Sequence, residues 1–449
     1  MLKHNGSDDL LQEDWRDYIH NKLGREPWVY VYYSEQIRIG NFALFHCALI
    51  DNSKVDKVLN NPSWDMQIGD GKPGCSVTYK NGEKIVEYHR SGSNNGIDPL
   101  VHHRNFYGIK DGYIEIAEEF RLLHNLYYDK ENNKYIKIDE NGDEEDIIII
   151  KKNKVKIKLK PLKQFLAIKD MHLAIYFSID RQSKKSIEKL GLKKIDERIL
   201  EDNITYDFTV GSPKMPIECN SFSRLIGKKL ISGMDKEQSG IWPYEEEKNY
   251  EKYIIDYNEN GEPVEYTCNP DELSNYFGAN KESPHYLTPV FFRRDVLVKY
   301  YSDPEKYSIE DNSIRCKGLW ILRIDNNHEK YIIVFLGDLG RDLPYKEQKY
   351  WKSFNIPPEG KISEVNFKRS FLGEFTDPEK EDLVFKQTFK EVNNKWKEKF
   401  GWYIFKPLAR DDEHNLKVIR IPVTNSQHEF DQQALSLSKI LIDSFFYEK

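Results

Sequence analysis

The six residues Gly337-Asp338-Leu339-Gly340-Arg341-Asp342 put two carboxylates, a guanidinium and two glycines into one short segment. Asp338 or Asp342 could hold a metal or act as a base, and Arg341 could clamp a phosphate or carboxylate with two parallel donors. The glycines would let backbone approach a ligand closely. A structural assignment competes with this one: Asp342 caps a helix from Pro344 to Phe354, and Arg341 pairs with a neighbouring acid. The elements that must position the segment are two strands, Gly318 to Ile324 and Tyr331 to Leu336, joined by the polar turn Asp325-Asn326-Asn327. The end of a buried strand just before a helix is where backbone and charged groups can converge on a ligand.

Two other constellations carry titratable groups. Arg323 and His328 have the spacing of an Arg-x4-His ribonuclease signature, in which Arg and His handle the scissile phosphate and its leaving oxygen. That chemistry is normally presented by a helix, whereas these residues span a strand end and an Asn-rich turn. His102 and His103 precede Glu115, Glu118, Glu119 and His124, with Glu115 and Glu119 on one face of a helix expected from Ile114 to Asn125. Adjacent histidines on a strand point to opposite faces, so His102 and His103 are poorly placed to share an ion. No metal-ligand set is assigned.

The clearest charge anomaly lies between residues 151 and 200, which carry fifteen Lys or Arg against five Asp or Glu. The run from Lys154 to Lys160 alternates without a break, placing Lys154, Lys156, Lys158 and Lys160 on one strand face and aliphatic side chains on the other. Such a face could track a phosphate backbone. Alternatively, it protects an exposed edge strand from aggregation and is neutralised by the acidic turn from Asp139 to Asp146. A second basic surface interleaves aromatics with Arg293, Arg294 and Lys352, among others, and could stack bases or sugars.

Composition limits the remaining possibilities. With 74 acids and 67 bases the net charge is -7, so no global basic signal for nucleic acid or anionic membrane exists and any such binding must be local. The first residues lack an apolar signal core and no stretch of eighteen apolar residues occurs, which predicts a cytoplasmic protein without a membrane span. Five scattered cysteines without a Cys-x-x-Cys pair argue against a disulfide framework or zinc ribbon. Phosphate-loop, dinucleotide, zinc-protease and serine-hydrolase fingerprints are all missing, and Glu347-Gln348-Lys349, which has the letters of a nuclease motif, falls in a helix. No cofactor is indicated.

Hydrophobic periodicity predicts an α+β chain of antiparallel sheets with packed helices in two closely associated domains, 1–230 and 231–449. Strands are expected at Trp28 to Tyr33, Asn41 to Ile50 and Leu173 to Asp180, with a meander between residues 126 and 160. Asn81-Gly82, Asn141-Gly142 and Asn260-Gly261 each read as a type I′ hairpin turn. Helices are expected from a cap at Ser7, at Lys184 to Leu190, and twice near the C-terminus. One of these carries Phe385, Phe389, Val392, Trp396 and Phe400 on a stripe. The other starts at a Ser426 and Glu429 capping box and points Phe430, Ala434, Leu437, Leu441 and Phe445 inward.

The strings His285-Tyr286-Leu287-Thr288-Pro289-Val290-Phe291-Phe292-Arg293-Arg294, Gly337 to Pro344 and Tyr350 to Asn355 resemble an uncharacterised prokaryotic protein family, over roughly residues 275 to 445 and again between Tyr107 and Tyr176. Some members of that family continue into a helical region with a HEPN-like Arg-x5-His pattern, which implies RNA cleavage in a defence or stress setting. This chain stops at Lys449, so the resemblance implies a recognition or regulatory body without the effector and carries over no catalytic residue. The expected function is therefore a recognition or regulatory module that binds nucleic acid or a protein partner in a bacterial defence system. The alternative is a phosphate-directed hydrolase or nuclease using Asp338, Arg341 and Asp342.

Overall fold

The computed structural model describes residues 9–445 apart from 39–40, 64–73, 90–96, 215–218, 245–246, 407 and 409–412; Ser7 lies outside the described residues. The chain is α+β, with antiparallel sheets throughout. It divides into two compact units, one of residues 1–138 with 144–247 and the other of 139–143 with 248–449.

The first unit contains α1 (Glu13–Asp17), β1 (Trp28–Arg38), β2 (Asn41–Asp51), α2 (Val55–Leu59), β3 (Gly74–Lys80), β4 (Glu83–His89), β5 (Ile97–Asp98), β6 (Val101–Phe106), β7 (Lys110–Ile116) and α3 (Glu118–Leu123). It continues through β8 (Tyr127–Asp129), β9 (Lys134–Ile138), β10 (Glu144–Lys151), β11 (Lys154–Lys158), α4 (Leu159–Lys169), β12 (Met171–Ser183), β13 (Ile195–Glu201), β14 (Ile204–Gly211) and β15 (Ser221–Ile231). Ten of these strands form one antiparallel sheet in the order β13-β14-β15-β12-β2-β1-β11-β10-β9-β8, with β5 added beside β2.

The sheet holds because two long strands alternate in phase. On β2 and β12, Ala43, Phe45, Cys47 and Leu49 sit opposite Ile179, Phe177, Ile175 and Leu173, and all eight are buried. Each large side chain of that set contributes about 1.5–3 kcal/mol by leaving water. Trp15 and Tyr18 cover Phe45 at centroid distances of 5.4 and 6.2 Å. On the opposite face Val58 and Leu59 of α2 pack against Ala48, Ile50, Ala174 and Tyr176. Two buried lysines of β15 tie down helical segments: Lys228 Nζ donates to the Asn61 carbonyl at 2.6 Å, and Lys229 Nζ to the Ile19 and His20 carbonyls. A cation at the carbonyl end of a helical turn is favourable.

Several expected elements are corrected. The residues from Ile114 to Ile116 close β7, and only Glu118–Leu123 is helical. The segment from Lys184 to Leu190 makes one 3-10 turn, Glu188–Leu190. The alternation ends at Lys158 because Leu159 opens α4, with Pro161 in a first turn where its missing N–H is not needed. Lys160 is therefore helical. Asn81 and Gly82 both have positive φ, as a type I′ turn requires. In the other two pairs only Gly142 and Gly261 do. There the Asp139 carboxylate accepts from the Asn141 and Asp143 amides, and the Asn258 side chain accepts from the Asn260 and Glu262 amides. Those side-chain bonds build longer loops that end on the glycine.

The second unit contains β16 (Lys252–Tyr257), β17 (Pro263–Thr267), β18 (Pro289–Arg293), α5 (Val298–Ser302), β19 (Tyr307–Ile309), β20 (Ser313–Cys316), β21 (Trp320–Arg323), β22 (Tyr331–Phe335), α6 (Leu336–Asp342), α7 (Tyr345–Lys352) and β23 (Asn355–Ile356). Four helices follow: α8 (Glu364–Phe367), α9 (Glu381–Phe400), α10 (Glu413–Val418) and α11 (Gln427–Ser438). The sheet β22-β18-β23, the meander β19-β20-β21 and the hairpin β16-β17 surround a core that includes Tyr253, Phe292, Tyr300 and Trp351.

The orientation of α11 is the reverse of that expected. Phe430, Ala434, Leu437, Leu441 and Phe445 are exposed, whereas Glu429, Gln433, Ser436 and Ile440 are buried. Glu429 does not close a capping box. Its carboxylate accepts from the Val423 amide, the Thr424 amide and hydroxyl, and Arg420 Nη2 at 2.7 Å. Burial alone would raise its pKa, but these donors outweigh burial and hold the carboxyl below its ordinary range. Phe430→Ser and Leu437→Ser are each expected to change stability by less than about 0.5 kcal/mol. Glu429→Ala is expected to lose about 2–4 kcal/mol, since it strands Arg420 and the 423–424 amides. Urea midpoints of the three variants measure this ordering, and a large loss in Phe430→Ser with none in Glu429→Ala would refute it.

Candidate functional site

Asp338, Arg341 and Asp342 are brought together, but by a helix and not by the loop read from the two glycines. β22 runs straight into α6, and Gly337 and Gly340 lie one turn apart on it. A Cβ at Gly337 would overlap the Tyr286 ring, and one at Gly340 the Cys268 carbonyl. The glycines thus serve close packing of α6 on its neighbours.

Asp338 is 2% exposed. Its Oδ1 accepts from the Tyr286 hydroxyl at 2.8 Å and forms an ion pair with Arg341 Nη2 at 2.8 Å. Arg341 also forks onto Asp342 through Nε at 2.6 Å and Nη2 at 2.7 Å, with its guanidinium 5.7 Å from the Tyr286 ring centroid. Burial raises the Asp338 pKa, against the opposing pull of the Tyr286 hydrogen bond and the Arg341 charge. Burial and the Asp338 charge together push the Tyr286 phenol upward. Asp342 makes no side-chain cap, since α7 begins after Pro344 without one. The cluster is a tyrosine, a guanidinium and two carboxylates that satisfy one another. A phosphate could take the Arg341 fork only by displacing Asp342.

The basic strand has a different setting. β11 lies inside the sheet between β1 and β10, so it is not the edge strand that lysines would protect. Lys158, Lys156 and Lys154 stand opposite Trp28, Tyr30 and Tyr33 of β1, while Val155 and Ile157 are buried. Lys156 Nζ lies 4.4 Å from the Tyr30 ring centroid and Lys158 Nζ 5.6 Å from that of Trp28. Lys158 also pairs with Glu145 at 2.5 Å. Lys151 stands opposite Lys154 on β10 and extends the row. Lys160, carried on α4, leaves this face.

The second basic set divides. Arg293 closes β18 and Arg294 opens the 3-10 turn that follows, where its guanidinium donates to the His328 and Tyr331 carbonyls and to Asn326 Oδ1. Burial lowers its pKa. Arg293 faces the other way, toward Asp295 at 3.4 Å and the Phe354 ring at 5.3 Å. Lys352 pairs with Glu265 at 2.5 Å. In the Arg323 and His328 pair, the His328 ring stacks on Tyr331 and its Nδ1 accepts from the Lys330 and Tyr331 amides, so the ring serves its own turn.

His102 and His103 separate as strand geometry requires. His102 stands opposite Glu115, and His103 meets the Tyr32 ring at 4.4 Å. His124 Nε2 lies 2.9 Å from the Pro161 carbonyl, and burial pulls its pKa down to about 4. Glu119 pairs with Lys169 at 2.7 Å. Among the described residues no three His, Cys, Asp or Glu side chains are grouped to hold a metal ion. Cys47, Cys219, Cys268 and Cys316 are buried free thiols, and Cys75 is an exposed one.

Two features of the second unit were not read from sequence. Glu347, on the inner face of α7, accepts from Lys299 Nζ and from the Tyr300 hydroxyl, and that hydroxyl accepts from Trp351 Nε1 at 2.7 Å. The spacing of Glu347, Gln348 and Trp351 on one helical face was the available signal. A cavity of about 930 Å³ lies between the α5–β19 segment and α9, and no local motif marks it. The chain matches no family model, and comparisons with curated proteins and with solved structures found no match. Among the described residues no helix is long and apolar enough to cross a membrane.

Proposed function

We propose that the chain is a cytoplasmic recognition module that engages single-stranded nucleic acid through the face shared by β1, β11 and β10. The observation carrying this reading is the pairing of Lys156 with Tyr30 and Lys158 with Trp28 on one face of an inner strand. Ammonium groups answer the phosphates, and aromatic rings beside them offer planes on which unpaired bases stack irrespective of sequence. Val155 and Ile157, buried on the reverse side, fix the spacing of the lysines. The net charge of -7 makes such binding local to this face.

The test is retention of the full chain on immobilised single-stranded RNA, single-stranded DNA and duplex DNA across a salt series. Wild type is expected to be retained most strongly on a single-stranded support. The Lys154→Glu, Lys156→Glu, Lys158→Glu triple variant is expected to elute earlier, with the salt slope reduced by about 2, given roughly 0.7 per neutralised phosphate on a single strand. Equal elution of the two proteins on every support would refute the reading.

A further inference from the structure

We infer that the cavity between α5–β19 and α9 is a binding site for an organic anion with an apolar body, whose acid group pairs with Lys386. The site is distinct from the β1–β11 face and lies wholly within the second unit, so either inference can fail without the other.

At about 930 Å³ the cavity falls within the size range of sites that enclose small organic molecules. Its walls are mainly apolar: Tyr301 and Ile309 line it together with Leu383 and Phe389 of α9 and Leu416 and Val418 of α10. Charged groups at the rim are largely matched. Arg369 pairs with Asp311, Gln387 Nε2 donates to Asp377 and Glu391, and Glu391 also meets Lys395. Glu310 approaches Ser313 at 3.5 Å.

Lys386 differs from these. It projects from α9 into the cavity and its Nζ donates to the Lys417 carbonyl at 3.1 Å. The charged groups around it are Asp382, Arg420 and Lys390. Asp382 is engaged by the Leu383 and Ile421 amides, and Arg420 is held by Glu429. Burial, reinforced by the Arg420 and Lys390 charges against that of Asp382, brings the Lys386 amine down to about 8. It is thus a cation short of compensating negative charge, beside an apolar volume. An anion whose body fills that volume supplies both missing interactions, whereas a neutral or cationic molecule supplies at most one.

The experiment is calorimetric titration of the full chain with decanoate, monodecyl phosphate, decan-1-ol and decylammonium, each below its aggregation concentration. One anion per chain is expected to bind saturably, and decan-1-ol at least tenfold more weakly. Tighter decanoate identifies a carboxylate ligand and tighter decyl phosphate a phosphate ester; either supports the site. Lys386→Met is expected to weaken the anions tenfold or more and leave decan-1-ol unchanged, while Lys386→Arg retains anion binding. Leu416→Trp, which fills the cavity and keeps Lys386, should abolish all binding and guards against misfolding of the methionine variant. Decan-1-ol or decylammonium binding as tightly as the anions, unchanged affinity in Leu416→Trp, or absence of saturable binding overturns the assignment.

Discussion

Replacing Glu347 by alanine is expected to destabilise the protein by about 3 kcal/mol. The carboxylate is buried and is the shared acceptor of the Lys299 ammonium and the Tyr300 hydroxyl. Tyr300 is itself buried, and burial together with the Glu347 charge holds its phenol well above its ordinary pKa. Without Glu347 the hydroxyl still accepts from Trp351 but has no recipient for its own proton. Lys299 is about a third exposed and can turn toward water, which keeps the loss below that of a fully buried pair. Glu347→Gln preserves an acceptor for Tyr300 and is expected to lose only about 1 kcal/mol. Denaturant midpoints followed by tryptophan fluorescence measure both. A double-mutant cycle with Tyr300→Phe should return a coupling of about 1 kcal/mol or more. Additivity of the two changes would show that the hydroxyl and carboxylate do not act together.

Elements marked by a long apolar or alternating run were readable from sequence. β2 and β12 are long, largely apolar runs buried on both faces over much of their length, whereas the lysine run of β11 has period 2 until α4 opens at Leu159. Where a side chain bonds to nearby backbone, the same letters take a different form. Asn141-Gly142 and Asn260-Gly261 carry the signature of Asn81-Gly82, yet Asp139 and Asn258 capture the amides that follow them. For α11 the apolar stripe was visible, but burial is decided by partners in the irregular segment just before the helix. Glu429 and Gln433 find Arg420 and the 420–424 backbone and turn the polar side inward. At the candidate site, residue types and proximity were legible for Asp338, Arg341 and Asp342, whereas their mutual satisfaction depends on Tyr286, fifty-two residues earlier than Asp338. Arg293 and Arg294 look alike in sequence, yet the strand ends between them, leaving one a surface cation and turning the other into an internal strut.

Gly340→Ala provides the complementary test of α6, because local propensity and tertiary packing predict opposite signs. In an exposed helix interior the change would stabilise by about 1 kcal/mol. Here the new methyl overlaps the Cys268 carbonyl oxygen and crowds Pro270 at 3.1 Å. Neither neighbour yields easily. The Cys268 amide is bonded to the Glu251 carbonyl at 3.0 Å, and Pro270 opens a 3-10 turn capped by Asn269. Relief requires α6 to shift, which pulls Asp338 from Tyr286 and Leu336 and Leu339 from the core. The expected loss is about 3 kcal/mol or more, a fall of roughly 6–12 °C in the melting temperature of a unit this size. Gly318→Ala, in open space, is the matched control and should melt within about a degree or two of wild type. If Gly340→Ala melts as high as Gly318→Ala, the close seating of α6 on Cys268 is wrong, and with it the view that these glycines serve packing rather than ligand approach.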